Sequence, residues 1–493
     1  MTNFDSLKDN RPLFQMPAKF RAAIALTAGC MVLASCTSDR LNITNPNTPT
    51  VAGASGDPQA LQLFATGLLR QNRNSRGGFI TSTARFGREA YVYTPQEGRN
   101  TSHYLIGLSG QNKLDPSGFA VENWGGPYAN LRDIFNFKST VANSAALTAT
   151  QKSAAQGFVK TLEAMELLTV ISTRDSLGLV VDQNQDATVL APFVSRDSAY
   201  KYILAQFNSA ATDLAAGGAA FPFMLHTGFT GFNTPATFLL FNRAMTARAE
   251  AYYATAGGGV AAWGRSLAAI NASFVNTVAT TRAQFDAGVY LPYSPATGDN
   301  INPLSITNNT DLYAHASITT DVPLKANGAT RDDRYTAKIG SRPARSGPQG
   351  LGIESTVGFN IYATTATSIP VIRNEELLLL RAEGLLGTGD KAGAIAIINQ
   401  IRINSGGLAA STLTPASPDA TVLTELLLQK RYSLLLEGHR WIDLRRYNRL
   451  DQLPIDITTG TNKHFVARVQ PIPQAECLSR AGKTGNLAGP GCL

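Results

Sequence analysis

Apolar residues recur with helical period along most of the chain, and the points where that period starts and stops divide it. Asp57-Pro58 precedes the periodic stretch Gln59 to Arg70, Thr234-Pro235 precedes Ala236 to Ala254, and Ser417-Pro418 precedes Asp419 to Glu437. A short polar acceptor followed by proline satisfies the Ncap and N1 positions together, so each pair predicts a helix start. Further helical stretches run over 126–143, 148–171, 195–216 and 261–277, with Ala-rich and Leu-rich faces. The fold is therefore predicted to be mainly α. Between Thr280 and Ser368 the pattern changes to Gly, Asn, Thr, Ser and Pro, with short strand-like pieces at Tyr335–Ile339 and Phe359–Tyr362. Irregular segments of that length in a compact protein tend to be functional surface, which marks 280–368 as a contributor to a binding site. Helical period returns in 374–386 and 392–402, separated by Gly387-Thr-Gly-Asp390. So short a link predicts an antiparallel helical hairpin, and Ala382, Gly389 and Ala394 are small where its helices must pack, as in a tetratricopeptide unit. One hairpin cannot bury its own apolar face, so it must stack on other helical pairs.

One apolar run does not follow this pattern. Ala22 to Ala34 comes after Lys8, Arg11, Lys19 and Arg21 and runs into Ser35 and Cys36, the order of a secretory leader. Its length, about a dozen residues, falls below the roughly 20 that span hydrocarbon as a helix. Leu33-Ala34-Ser35-Cys36 matches the lipobox, so residues 1–35 are expected to be removed and Cys36 to carry lipid. Residues 36–55, rich in Asn, Thr and Pro, read as a flexible tether. The remaining organisation is an N-terminal helical region over 56–279, the insertion over 280–368, and a C-terminal helical region over 369–493 that ends in a cysteine-bounded tail.

Composition narrows the function. With 493 residues and 44% hydrophobic content the chain can bury a large core. Its formal charge of +8 is dispersed, except between Arg440 and Arg449, which argues against a nucleic-acid partner. Of four cysteines, Cys30 leaves with the leader and Cys36 is taken by lipid. Cys477 and Cys492 are then expected to pair in an oxidising envelope and pin the C-terminus. Two thiols with no histidine near them in sequence are too few for a metal site, and no cofactor is expected. There is no Gly-x-Ser-x-Gly elbow, His-Glu-x-x-His pair or phosphate loop, and His103, His226, His315, His439 and His464 are scattered. The chain is expected not to be an enzyme. An all-α glycoside hydrolase, which needs only two carboxylates, and a helical-repeat scaffold for protein partners are the alternatives.

Four motifs in the C-terminal third occur in an order that resembles the RagB/SusD family of outer-membrane nutrient-binding lipoproteins. They are Asp332-Asp-Arg334, the segment 368–383 running from Ser368-Ile-Pro through Arg373 and Glu376 to Ala382-Glu383, the segment 429–446 containing Glu437-Gly-His-Arg-Trp-Ile-Asp-Leu-Arg445, and Pro471-Ile-Pro-Gln-Ala-Glu476. These read as structural first. Glu437, Arg440, Asp443 and Arg445 can form a network of opposed charges at a helix end with Trp441 as apolar cover, and Arg373, Glu376 and Glu383 belong to the same scaffold. Trp124, Tyr128 and Ile134 resemble a family helix and are assigned to core packing.

The resemblance implies a SusD-like bundle of tetratricopeptide-like helical pairs, with the loop-rich insertion forming the ligand face. It also implies binding of an oligosaccharide, or in some members a peptide, outside the outer membrane, and delivery of it, as a lid, to a TonB-dependent, SusC-like transporter. Sugar rings need aromatic faces and nearby polar groups. The polar loop Phe86–Tyr104 supplies Arg88, Tyr91, Tyr93, Asn100 and Tyr104 as candidate contacts, joined by Tyr290, Tyr293 and Tyr313 from the insertion; covering the core is the competing role for each tyrosine.

Overall fold

The computed structural model describes residues 58–108, 110–182, 186, 188–347 and 353–491. The leader, Cys36, the tether and Cys492 lie outside the described residues.

The long helices are α1 (Pro58–Phe86), α2 (Gly125–Asn143), α3 (Ala149–Arg174), α4 (Arg196–Ala215), α5 (Pro235–Tyr253), α6 (Gly259–Asn271), α7 (Asn374–Gly387), α8 (Lys391–Asn404) and α9 (Asp419–Ser433), followed by the short α10 (Arg440–Arg446). Each helix from α1 to α8 packs against the next, which gives four consecutive pairs with α9 against the last of them. This is the stacking that the isolated hairpin required. Thr234 caps α5 with Pro235 inside its first turn, and Thr148 and Gln151 form a reciprocal capping box on α3. The link between α7 and α8 turns at Gly389, whose φ of +92° suits glycine. Across the stack, a Cβ on Gly387 would come within 2.4 Å of the Trp263 indole of α6, so this pair needs a small residue there. Phe158 of α3 joins the layers by meeting Phe137 of α2 at 6.3 Å and Phe238 of α5 at 5.8 Å.

Several expectations change: α6 ends at Asn271, short of the expected Thr277, and of the strand-like piece 359–362 Phe359 alone lies in a strand. Helix α1 continues past Arg70 to Phe86 through Asn72, Asn74, Ser75, Gly77 and Gly78, a stretch of weak helix formers held by tertiary packing. Helix α9 stops at Ser433 rather than Glu437, because Leu436 and Gly438 adopt φ of +57° and +92°, outside the helical region. Tyr335 to Lys338, expected as strand, lies in the helical turn Asp333–Lys338, whose start is capped when the Asp332 side chain accepts from the Arg334 N–H.

The strands are short and antiparallel. β1 (Ala90–Val92), β5 (Leu312–Ala314), β7 (Glu354–Phe359) and β6 (Ile339–Ser346) form one sheet in that spatial order. β2 (Leu179–Val180) pairs with β3 (Phe193–Val194), and β4 (Gly288–Leu291) with β8 (Ile369–Arg373). No helix of the described residues is long and apolar enough to cross a membrane.

The C-terminal motifs meet in a buried lattice of charges. Arg373 reaches Glu437 at 2.8 Å and Glu375 at 2.5 Å; Arg248 of α5 reaches Glu376 at 2.6 Å. Lys430 lies between Glu383 at 2.5 Å and Asp443 at 2.8 Å, and Arg446 contacts the same two carboxylates. Burial alone would raise the Glu383 carboxyl, but Arg446 and Lys430 hold it well below the usual carboxylate range. Trp441 is fully buried and donates its indole N–H to the Ala467 carbonyl at 2.8 Å. Arg445 lies over that indole, and Arg440 donates to the Gly87 carbonyl.

Candidate functional site

The candidate contacts taken from the sequence are held by protein groups. Arg88 is buried and donates to the carbonyls of Pro454, Arg85 and Phe465. Tyr91 donates to Asp456 at 2.6 Å, Tyr104 to the Phe119 carbonyl, Tyr293 to the Arg73 carbonyl and Tyr313 to the Pro343 carbonyl. Tyr91, Tyr93, Tyr104, Tyr293 and Tyr313 are all buried. Half-buried Tyr290 and Asn100 bond within their own segments, to the Asp286 carbonyl and to Thr94. The sheet brings Tyr91, Tyr93 and Tyr313 together, with Tyr93 and Tyr313 meeting edge to face at 5.5 Å. Strand β1 is buried along its whole length, so alternation along it presents no side chain to solvent.

A different set of residues frames an open cleft. A cleft of about 670 Å³ is bounded by Gln71, Asn74, Ser75 and Gly78 of α1, by the segment 121–127 entering α2, and by Pro473, Ala475 and Glu476 near the C-terminus. A second lobe of about 230 Å³ shares Trp124 and Glu476 with it and adds Tyr128, Arg132, Asp182, Asp186 and Arg480. Volumes of this order suit a small ligand or a few sugar units.

The wall between the lobes is built from below. Arg174, buried at the end of α3, donates to the carbonyls of Val121, Glu122 and Asn123 at 2.7, 2.7 and 3.2 Å, so one guanidinium sets the course of the chain into Trp124. Burial lowers the Arg174 pKa to about 9. Asn123 takes a left-handed φ of +65° and donates to Ser82 and Gln470. Trp124 then packs between Tyr128 at 4.6 Å and Phe193 at 5.9 Å, with 6% of its surface exposed. Tyr128 stands half-buried beside it, its hydroxyl bridging the Val180 N–H and carbonyl.

Among the described residues, no lysine, arginine or histidine lines the larger lobe. Its polar groups are amides, a serine hydroxyl and two carboxylates. Burial raises the Glu122 carboxyl, opposed by Arg85 and Tyr104. Such a surface accepts and donates hydrogen bonds next to an aromatic wall, which suits a polyhydroxylated ligand. Trp124 and Tyr128, assigned to the core from sequence, do pack there and also wall the cleft. Gln71, Asn74, Glu122 and Glu476 were missed. The run Glu122-Asn-Trp-Gly-Gly-Pro127, polar groups and a tryptophan at a helix entry, was the available signal.

Residues 247–477 match the SusD family. The family likeness in sequence is carried by that segment. A SusD-like protein, P38, of Formosa agariphila is 34% identical over 97 residues, covering 17% of this chain and 18% of that relative. The fold likeness is broader. A SusD superfamily protein of Bacteroides vulgatus superposes with a TM-score of 0.63 at 14% identity, over 86% of this chain and 97% of that one. A laminarin-binding SusD-like protein does so with a TM-score of 0.61 at 14% identity, over 86% and 98%. Surface glycan-binding protein A of Bacteroides fluxus gives 0.63 at 13% identity, over 87% and 98%. The matched SusD segment begins inside α5, so of the cleft it contains only the C-terminal wall at Pro473, Ala475 and Glu476.

Proposed function

We propose that this chain is a SusD-family surface glycan-binding protein whose ligand, an oligosaccharide, occupies the cleft around Trp124. The observation that carries this is the pairing of an aromatic wall with uncharged amides in a two-lobed space divided by Trp124 and Glu476. The laminarin- and glycan-binding proteins that share the fold support a sugar over a peptide. In this reading lipid on Cys36 holds the chain to the outer membrane, facing outward, and the helical bundle works as a lid that passes ligand to a SusC-like, TonB-dependent transporter. The bound sugar is carried, not cleaved.

The test is a combined glycan and peptide array. Binding to glycans that weakens in Gln71→Ala is expected, and binding confined to peptides overturns the sugar reading. Release of reducing ends from any bound glycan overturns the non-catalytic reading, and Glu122 and Glu476 would then be the carboxylates to replace first. Delivery is tested by co-purification with a TonB-dependent barrel from native membranes, which a protein-interaction scaffold of another kind would not show.

A further inference from the structure

Glu476 lines both lobes of the cleft, and its surroundings fix how it can be used. It sits on the short helix Gln474–Ser479, next to Cys477, which is disulfide-bonded. Arg480, 5% exposed, donates its Nε–H to Glu476 Oε1 at 2.6 Å. The same guanidinium donates to the carbonyls of Ala191 and Leu487 at 3.0 Å each and lies over the Phe193 ring at 4.7 Å. One carboxylate oxygen is thereby fixed, while Oε2 has no hydrogen bond among the described residues and the side chain remains 24% exposed. Glu122 is the other charged residue of the larger lobe, and Asp182 and Asp186 stand in the smaller one. Among the described residues Arg132 is the cation there besides Arg480, whose Nε and Nη1 are engaged by Glu476, Ala191 and Leu487. This local excess of carboxylate occurs in a chain of formal charge +8, so it does not follow from composition.

We infer that Glu476 is a specificity-determining residue: it selects oligosaccharides that present hydroxyl or ammonium donors at the middle of the cleft and rejects those carrying carboxylate or sulfate there. A carboxylate oxygen accepts from a pair of sugar hydroxyls or from an amino sugar, whereas an anionic substituent a few ångströms away meets repulsion in a partly desolvated site. Because the helix bearing Glu476 is tied by the Arg480 clamp and the adjacent disulfide, the carboxylate cannot simply swing aside. This inference rests on the cleft being the glycan site.

The experiment is calorimetric titration of the full-length protein in detergent with neutral gluco-oligosaccharides of mixed linkage, glucosamine oligomers and oligogalacturonates of matched length. Neutral and amino oligomers should bind, with oligogalacturonates weaker by roughly tenfold or more at low salt and the gap closing as salt is raised. Glu476→Gln, which keeps an acceptor for Arg480, should weaken the amino oligomers and strengthen the uronates. Uronates that bind as tightly as neutral oligomers, or an unchanged ranking in the variant, overturn the role of Glu476 while leaving the glycan reading intact. Absence of binding in all three arms overturns the glycan reading and this inference with it. Should the variant fail to fold, the wild-type ranking and its salt dependence decide.

Discussion

The charge lattice under the C-terminal motifs and the cleft around Trp124 are both rich in ionisable and polar groups, yet they are finished differently. In the lattice nearly every charge answers another: Glu383 receives Lys430, Arg446 and the Tyr447 hydroxyl, and Arg373 spans Glu375 and Glu437. In the cleft, the side-chain amide of Gln71 and one oxygen of Glu476 have no hydrogen-bond partner among the described residues, although both residues are accessible. Folding has no reason to leave polar groups unmatched in a concave, half-buried place, whereas a ligand that completes them gains affinity from each. Saturation therefore separates scaffold from site here better than residue type does.

The hardest way to break the comparison is to unpair the lattice. Lys430→Met removes a buried cation, 3% exposed, from between Glu383 and Asp443 and leaves carboxylate charge uncompensated. The expected loss is about 3–5 kcal/mol, read from urea denaturation, with part recovered when Glu383→Gln is added. Glycan affinity of the protein that remains folded should not change. A loss below about 1 kcal/mol would show that the lattice is no scaffold.

How much of this could be read beforehand follows from the same contrast. The lattice residues sit in contiguous motifs, so Arg373, Glu376, Glu383, Glu437, Trp441, Asp443 and Arg445 could be assigned to the scaffold by sequence order, and the helices announced themselves through caps and period. The cleft draws on 71–78, 121–127 and 473–476, segments brought together only by the fold; the motif ending at Glu476 read as scaffold, and the run 122–127 was the local signal. Its α1 portion lies beyond Arg70, where the helical period was read to stop, because Asn, Ser and Gly are poor helix formers. The tyrosines of 91–104 misdirect for a related reason: an aromatic-polar run reads as surface unless its strand is covered on both faces, which β1 is.

Glu166 lies between the two cases. It is 1% exposed, and its Oε1 accepts from both Asn72 and Asn130, at 2.8 and 2.7 Å. It borders a small cavity of about 50 Å³ that shares Ser75 with the cleft and has room for a few waters. Burial raises its carboxyl from 4.5 to about 7, with the two amides opposing. Between those pH values the folded state keeps a proton that the unfolded state has lost, so stability falls as pH rises and the cost is complete above pH 7. Glu166→Gln keeps an acceptor for both amides. It should be near neutral at pH 4.5 and more stable than wild type at pH 8, by at most about 3 kcal/mol. Parallel stability curves from pH 4 to 8 would place Glu166 in the saturated class.

Within the cleft the effects shrink and move from stability to binding. Gln71→Ala removes an amide that bonds nothing in the described fold, so the melting temperature should hold. Glycan affinity should fall about fivefold, the value of one hydrogen bond near 1 kcal/mol. A shifted melting temperature with unchanged affinity would return Gln71 to the scaffold.

The smallest expected effect tests the competing surface. Tyr93 is 2% exposed, with its ring against Tyr91 and Tyr313, and its hydroxyl has no hydrogen bond among the described residues. Phenylalanine preserves both ring contacts, so Tyr93→Phe isolates the hydroxyl. If ligand sits in the Trp124 cleft, stability should stay within about 0.5 kcal/mol of wild type and glycan affinity within about twofold. A fall in affinity equal to that of Gln71→Ala would mean that the β1–β5 edge opens to admit ligand, and that an uncommitted hydroxyl behind a closed strand has the same significance as an uncommitted amide in an open cleft. Accessibility would then have to be dropped as a criterion and only saturation kept.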